Sequence, residues 1–163
     1  MNFQSFSGVV TNIQNFGASA HGEDLGCTML FSVRGNSGET VNFVVTPHTY
    51  FVEHETVKRG DRITGFYDAD APVPFIYPPQ YEAWVIAKSS TDYFVKVDYF
   101  NDELLSQDGN LQLNIVPKTE ILLENAQQFR GRIANRYLVV LYGPTTRSIP
   151  AQTTPYKIIV LCI

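Results

Sequence analysis

The chain has 163 residues, 44% of them hydrophobic and 17% charged, which suits one ordinary globular domain or two small ones and excludes a disordered polypeptide. A formal charge of −4 gives no basic footprint and opposes nonspecific attraction to phosphate backbones or anionic lipid. Cys27 and Cys162 are two thiols far apart without CxxC spacing, so neither a zinc ribbon nor a disulfide framework is expected, and each reads as a small buried apolar side chain.

The chain starts "MNFQSFSGVVTNIQ", with neither a basic leader nor an apolar core of about 7–15 residues. No run approaches the roughly 18 apolar residues that span a bilayer, so the expected location is the cytoplasm and no membrane partner is expected. Apolar and polar positions then alternate in "FSGVVTNI", "CTMLFSV", "ETVNFVV", "DRITGFY" and "EAWVIA", each bounded by Gly, Asn, Asp, Ser or Pro. These are five predicted strands. "GNSG" at 35–38 joins the second and third as a hairpin, because Asn and Gly tolerate the positive φ of tight turns. "TPHTYFVEHETVKRG" follows the third strand, and its Thr46 and Thr49 predict caps for a short amphipathic helix carrying His48 and His54.

The second half repeats the first. A shift of 70 residues lays "ETVNFVVTPHTYFVE" over "GNLQLNIVPKTEILL", pairing Phe43 with Leu113, Pro47 with Pro117 and Thr49 with Thr119. A shift of 75 lays "TGFYD" over "VVLYG" and "QYEAWVIA" over "PYKIIVLC", pairing Tyr67 with Tyr142 and Tyr81 with Tyr156. The polar stretch "KSSTD" sets the expected boundary, giving domains 1–91 and 92–163. Residues 1–91 hold 5 Lys+Arg against 9 Asp+Glu and residues 92–163 hold 7 against 7, so the net negative charge sits on the first copy. The second copy is abbreviated, since "VKVDYFNDELLSQDG" has no counterpart to "NFGASAHGEDLG".

Five strands, a helix after the third and "VKRGDRITGFYD" leading into the fourth resemble the OB fold, a small Greek-key barrel. The expected fold class is therefore all-β, two tandem OB-like barrels each with a short helix after the third strand. The resemblance implies that the loops between strands one and two and between strands four and five flank a binding face. It also raises single-stranded nucleic acid as a ligand class, bound by a positive groove and stacking aromatics. The stretch "GDRITGFYDADAPVPFIYPPQY" is similar to segments of uncharacterised bacterial proteins, which carry no activity over to this chain.

The predicted four-five loop, residues 68–81, holds Pro72, Pro74, Pro78 and Pro79, four of the nine prolines. Proline fixes φ and lacks a donor, so this is a stiff extended arm and no central strand. Phe75, Ile76, Tyr77 and Tyr81 load it with apolar surface, which either folds back over the barrel mouth or reaches a second protomer or protein partner.

Other candidates are sparser. His21, Glu23 and Asp24 in one loop and Asp68 and Asp70 in the other offer an oxygen-rich set for a divalent cation, although Gly and Asp at loop tips are commonly turn formers. Arg130, Arg132 and Arg136 in "FRGRIANR" lead into the second copy's fourth strand, where alternate residues share a face that can meet an anion or nucleic acid. No GxSxG elbow, phosphate-cradling glycine loop or HExxH is present, so no catalytic residue and no cofactor is assigned. The sequence thus points to a noncatalytic interaction and assembly module, self-associating through the arm. The alternatives are a single-stranded nucleic-acid-binding protein and a metal-dependent enzyme using the carboxylate and histidine loops.

Overall fold

A computed structural model describes residues 1–17 and 25–163. Among these the chain is all-β, with thirteen strands and a single 3-10 turn, and it divides into two compact units, Met1–Ser89 and Ser90–Ile163. In the first unit β1 (Phe3–Asn15), β2 (Met29–Arg34), β3 (Thr40–Val45), β4 (Tyr50–Phe51), β5 (Arg62–Asp68), β6 (Gln80–Glu82) and β7 (Val85–Lys88) form one sheet in the order β4-β7-β5-β1-β2-β3-β6.

The long β1 serves two neighbours. Phe3 to Val9 pair with β5, and Val9 to Asn15 pair with β2 through a register shift between Val10 and Asn12. Gly8 sits where the neighbours change, and a Cβ there would lie 2.2 Å from the Arg34 carbonyl oxygen, so the close approach of β2 requires glycine. The β2–β3 hairpin turns through Gly35 to Glu39, closed by the Gly35 N–H donating to the Glu39 carbonyl at 2.8 Å. Alternation of buried and half-buried positions in β3 puts Val41, Phe43 and Val45 into a core with Val10, Phe31, Val33, Ile63 and Ile86. Full burial of such side chains stabilises by about 1.5–3 kcal/mol each.

Two residues, Ala83 and Trp84, separate β6 from β7. β6 pairs parallel with β3, whereas β7 pairs antiparallel with β5 and parallel with β4. The strand at one end of the sheet order, β6, and the strand next to the other end, β7, are thus consecutive stretches of chain. The break leaves the Ala83 carbonyl outside the ladders, and the buried Thr49 hydroxyl donates to it at 2.8 Å. Thr49 is held by the turn it closes, its N–H on the Thr46 carbonyl at 3.0 Å and its hydroxyl oxygen accepting from the Thr46 N–H at 3.0 Å.

The second unit repeats this connectivity with β8 (Phe94–Phe100), β9 (Leu111–Leu113), β10 (Glu120–Leu123), β11 (Arg136–Tyr142), β12 (Ala151–Thr153) and β13 (Lys157–Leu161). β8 pairs antiparallel with β11, β11 antiparallel with β13, β10 parallel with β13 and β12 parallel with β9. The strand corresponding to β2 is reduced to isolated bridges, Phe100 with Ser106 and Leu105 with Gln112. The Thr119 hydroxyl donates to the Pro155 carbonyl at 3.1 Å, the counterpart of Thr49 on Ala83. Tyr50 pairs with Val85 as Glu120 pairs with Lys157, which places the closing strand at a shift of 72 residues and replaces the predicted 75, so Tyr81 and Tyr156 are not equivalent.

The predicted helices after the third strands are absent among the described residues. In the first unit the segment forms β4 and a three-residue 3-10 turn, Val52–His54, in which Glu53 and His54 take φ of 58° and 52°, left-handed values no helix interior accepts. The second unit runs into β10 with no helical turn. Cys27 and Cys162 are exposed, not buried as predicted, because each lies outside the strands.

Thr49→Val and Thr119→Val keep shape but strand a buried carbonyl, so each should lower stability by roughly 1–3 kcal/mol in urea unfolding, while Thr→Ser at the same positions should recover most of the loss. A Cβ on Gly65 would lie 2.5 Å from the Phe43 ring. Gly65→Ala alone should cost about 1–3 kcal/mol by overpacking, and adding Phe43→Leu should restore part of it.

Candidate functional site

β5 ends at Asp68, and residues 69–79 leave the sheet before β6 begins. Both ends of this arm are fastened. Asp68 Oδ1 accepts the N–H groups of Asn2 and Asp70 at 3.0 Å each, the Ala69 N–H donates to the Asn2 carbonyl at 2.8 Å, and the Pro79 carbonyl accepts the Asn42 N–H at 2.9 Å. Between these points Pro72, Val73, Pro74, Phe75, Ile76 and Tyr77 are exposed, and Pro78 and Pro79 are half-buried. Phe75 is 109% exposed and Tyr77 83%, so the arm's largest rings face solvent.

Tyr81 anchors the return. Its ring stacks on Tyr67 with centroids 4.0 Å apart and planes 10° apart, against the first unit's core. Burial pushes the Tyr67 hydroxyl above its ordinary value, reinforced by Tyr81, so it stays neutral at physiological pH. An open cleft of about 360 Å³ lies within the arm, its lining including Val73, Phe75, Ile76, Tyr77 and Tyr81, with Gln80 the polar side chain among them. A second cleft of about 280 Å³ runs between the arm, Val44 and Trp84. Residues 71–81 contain no charged side chain.

The other predicted residues that the structure describes are not gathered into a site. Asp68 is occupied as a turn former and Asp70 is exposed, while His21, Glu23 and Asp24 lie outside the described residues. Among the described residues no three His, Cys, Asp or Glu side chains are placed to hold a metal ion. Arg130 and Arg132 precede β11 in a loop and so do not share a strand face as predicted. Arg136 does start the strand, but its Nε donates to the Arg132 carbonyl at 2.8 Å and its guanidinium lies 4.9 Å from the Phe129 ring centroid. Its role is to tie the loop to the strand.

Sequence reasoning missed a polar cluster in the second unit. Asp98, buried on β8, accepts the Tyr99 N–H on Oδ1 at 2.8 Å and the Asp108 N–H on Oδ2 at 3.2 Å. Asp108 accepts from Lys96 and from the Ser106 hydroxyl at 2.7 Å, and Ser106 Oγ accepts the Leu111 N–H at 2.9 Å. Burial pushes Asp98 up against the pull of its two N–H partners. At Asp108 burial also pushes upward, but the hydrogen bonds from Lys96, Ser106 and Asn110 outweigh it and hold the carboxyl below its ordinary value. The Ser-x-Asp spacing of "SQDG" was the available signal. The acceptors here are turned on backbone or on their own cluster, so the cluster fastens the 106–109 turn to β8.

No family model, no curated protein and no solved structure matches this chain. Among the described residues no helix is long and apolar enough to cross a membrane.

Because Asp108 sits below its unfolded value, the stability it contributes is present above about pH 4 and is lost as the pH falls through its lower folded pKa. Asp98 runs the other way, a penalty present above its raised folded pKa and relieved as the pH falls through it. Lys96→Met weakens the first and deepens the second, so it should be less stable than wild type at about pH 7 and converge toward it at about pH 3 in urea unfolding. A pH-independent difference would show that Lys96 does not act through these carboxyls.

Proposed function

We propose that the chain is a noncatalytic interaction and assembly module built on two OB-like barrels, which self-associates through the arm between β5 and β6. The connectivity supports the barrel reading. β1, β2 and β3 form a meander, β5 pairs antiparallel with β1, and the broken strand β6–β7 joins β3 to β5, the order of a five-stranded Greek-key barrel with β6–β7 as its fifth strand. The arm then occupies the loop between strands four and five, beside the usual binding face of such barrels.

The observation that carries the function is the exposure of Phe75 and Tyr77 on an arm fastened at both ends and free of charge from residue 71 to its end. Aromatic anchors dominate interface energies, and an arm already stiffened by proline loses little entropy on docking. Phe75, Tyr77, Ile76, Val73 and the prolines together offer on the order of 600–800 Å² per copy, close to the ~800 Å² each partner contributes to a standard interface. The absence of charge from residue 71 to residue 81 fits an apolar second copy better than a phosphate backbone. Two exposed free thiols fit a reducing compartment, and we place the protein in the cytoplasm.

Sedimentation or light scattering should find a defined oligomer at about 10–100 μM, and Phe75→Ser with Tyr77→Ser should weaken it on the order of a hundredfold without changing the circular dichroism. A wild-type monomer throughout that range would end this reading.

A further inference from the structure

Self-association through the arm leaves a question of chemistry: what the Phe75 tip meets on the other copy. Aromatic-lined grooves take up extended proline-rich segments, whose preformed backbone costs little to order. The larger cleft is such a groove, with the Phe75, Tyr77 and Tyr81 rings among its lining. The arm itself is an extended segment with Pro72, Pro74, Pro78 and Pro79. One stretch of chain therefore carries both halves of a recognition pair. A patch that binds its own equivalent generates a closed two-fold interface in which each contact occurs twice.

We propose that, given the self-association argued above, the arms exchange: the Pro74–Phe75 tip of one copy enters the arm cleft of the second, and the second copy's tip enters the cleft of the first. Charge permits this arrangement despite the acidic character of the first unit, because residues 71–81 bring no carboxylate into the contact. Asp68, Asp70 and Glu82 stay at the arm's base, where Asp68 is engaged by backbone N–H groups. Gln80 is the position where a charge can be placed in the cleft without disturbing the core, since it is half-buried and belongs to neither the core nor its packed shell.

The test is a charge swap read by sedimentation equilibrium. Gln80→Lys puts a cation in the cleft and Phe75→Glu puts an anion on the tip; each alone should raise the dimer dissociation constant on the order of tenfold or more. Gln80→Met, which keeps the cleft apolar, should leave dimerisation intact and shows that position 80 tolerates replacement. Mixing the Gln80→Lys chain with the Phe75→Glu chain should restore a heterodimer, because one tip and cleft pair is then charge-matched and the other joins a native Phe75 tip to a cleft that keeps Gln80, Tyr77 and Tyr81 and has lost only its own Phe75 ring. If wild type dimerises and Phe75→Glu dissociates it while Gln80→Lys does not, the arms associate without entering the clefts and exchange is overturned. The same holds if both variants dissociate and their mixture stays monomeric. A monomeric wild type removes self-association itself and exchange with it.

Discussion

A threonine hydroxyl closing on a broken strand is the contact on which both units depend. The last strand of each pairs with the third strand over its first part and with the fourth and the short parallel strand over its second, and it is interrupted in between. It breaks at Ala83–Trp84 in the first unit and over Thr154, Pro155 and Tyr156 in the second, and each break turns a carbonyl away from the ladders. A buried carbonyl without a donor costs about as much as any single interaction in the fold contributes, so a donor has to be supplied from elsewhere. Thr49 and Thr119 supply it, and both are buried. Their turns also start β4 and β10, whose first N–H groups, on Tyr50 and Glu120, donate to the carbonyls of Trp84 and Tyr156 at 2.9 and 3.2 Å. One turn thereby satisfies the break and adds a parallel strand beside it.

Around this constraint the units fill space differently. Gly65 on β5 makes room for the ring of Phe43 on β3, whereas the same places in the second unit hold Val140 and Leu113, a larger residue facing a smaller one within one core cluster. The ring is replaced by a smaller side chain where the glycine is replaced by a larger one, so the two changes offset each other in direction. The missing second strand of the second unit is handled by side chains. Asp98, Asp108 and Ser106 hold the 106–109 turn against β8, where a ladder holds β2 against β1 in the first unit. A carboxylate in that position can bind two N–H groups at once, which is what a lost strand leaves unsatisfied.

The strands were legible because apolar alternation of period two and Gly or Asn at turns are local signals, and "ETVNFVV" with "GNSG" yields β3 and its hairpin directly. The helices were misread for a physical reason. Thr46 and Thr49 look like caps, but their hydroxyls close a turn and satisfy a carbonyl 34 residues away, a partner no local window contains. The register of the closing strand slipped by three because the arm of 11 residues between β5 and β6 is three longer than its counterpart between β11 and β12. Arg130 and Arg132 have strand spacing without strand backbone. The arm was readable as stiff and apolar from its prolines, while its cleft and the Tyr67–Tyr81 stack needed the folded chain.

That difference in loop length separates what the two units can do. In the second unit the shorter loop closes on itself: the Ser148 hydroxyl donates to the Pro150 carbonyl at 2.8 Å and meets the Thr146 hydroxyl at 2.6 Å, and the Thr146 hydroxyl oxygen accepts the Gln152 N–H at 2.9 Å. Ile149 is left as its one strongly exposed large apolar side chain. The arm of the first unit has no Ser or Thr to fasten it in this way, and its four prolines in residues 72–79 carry no backbone N–H to donate. Its apolar surface must then be covered by something outside the loop or remain in water at a continuing free-energy cost. One connectivity thus carries a closed turn in one unit and an exposed apolar arm in the other, with a threonine-fastened strand break following each.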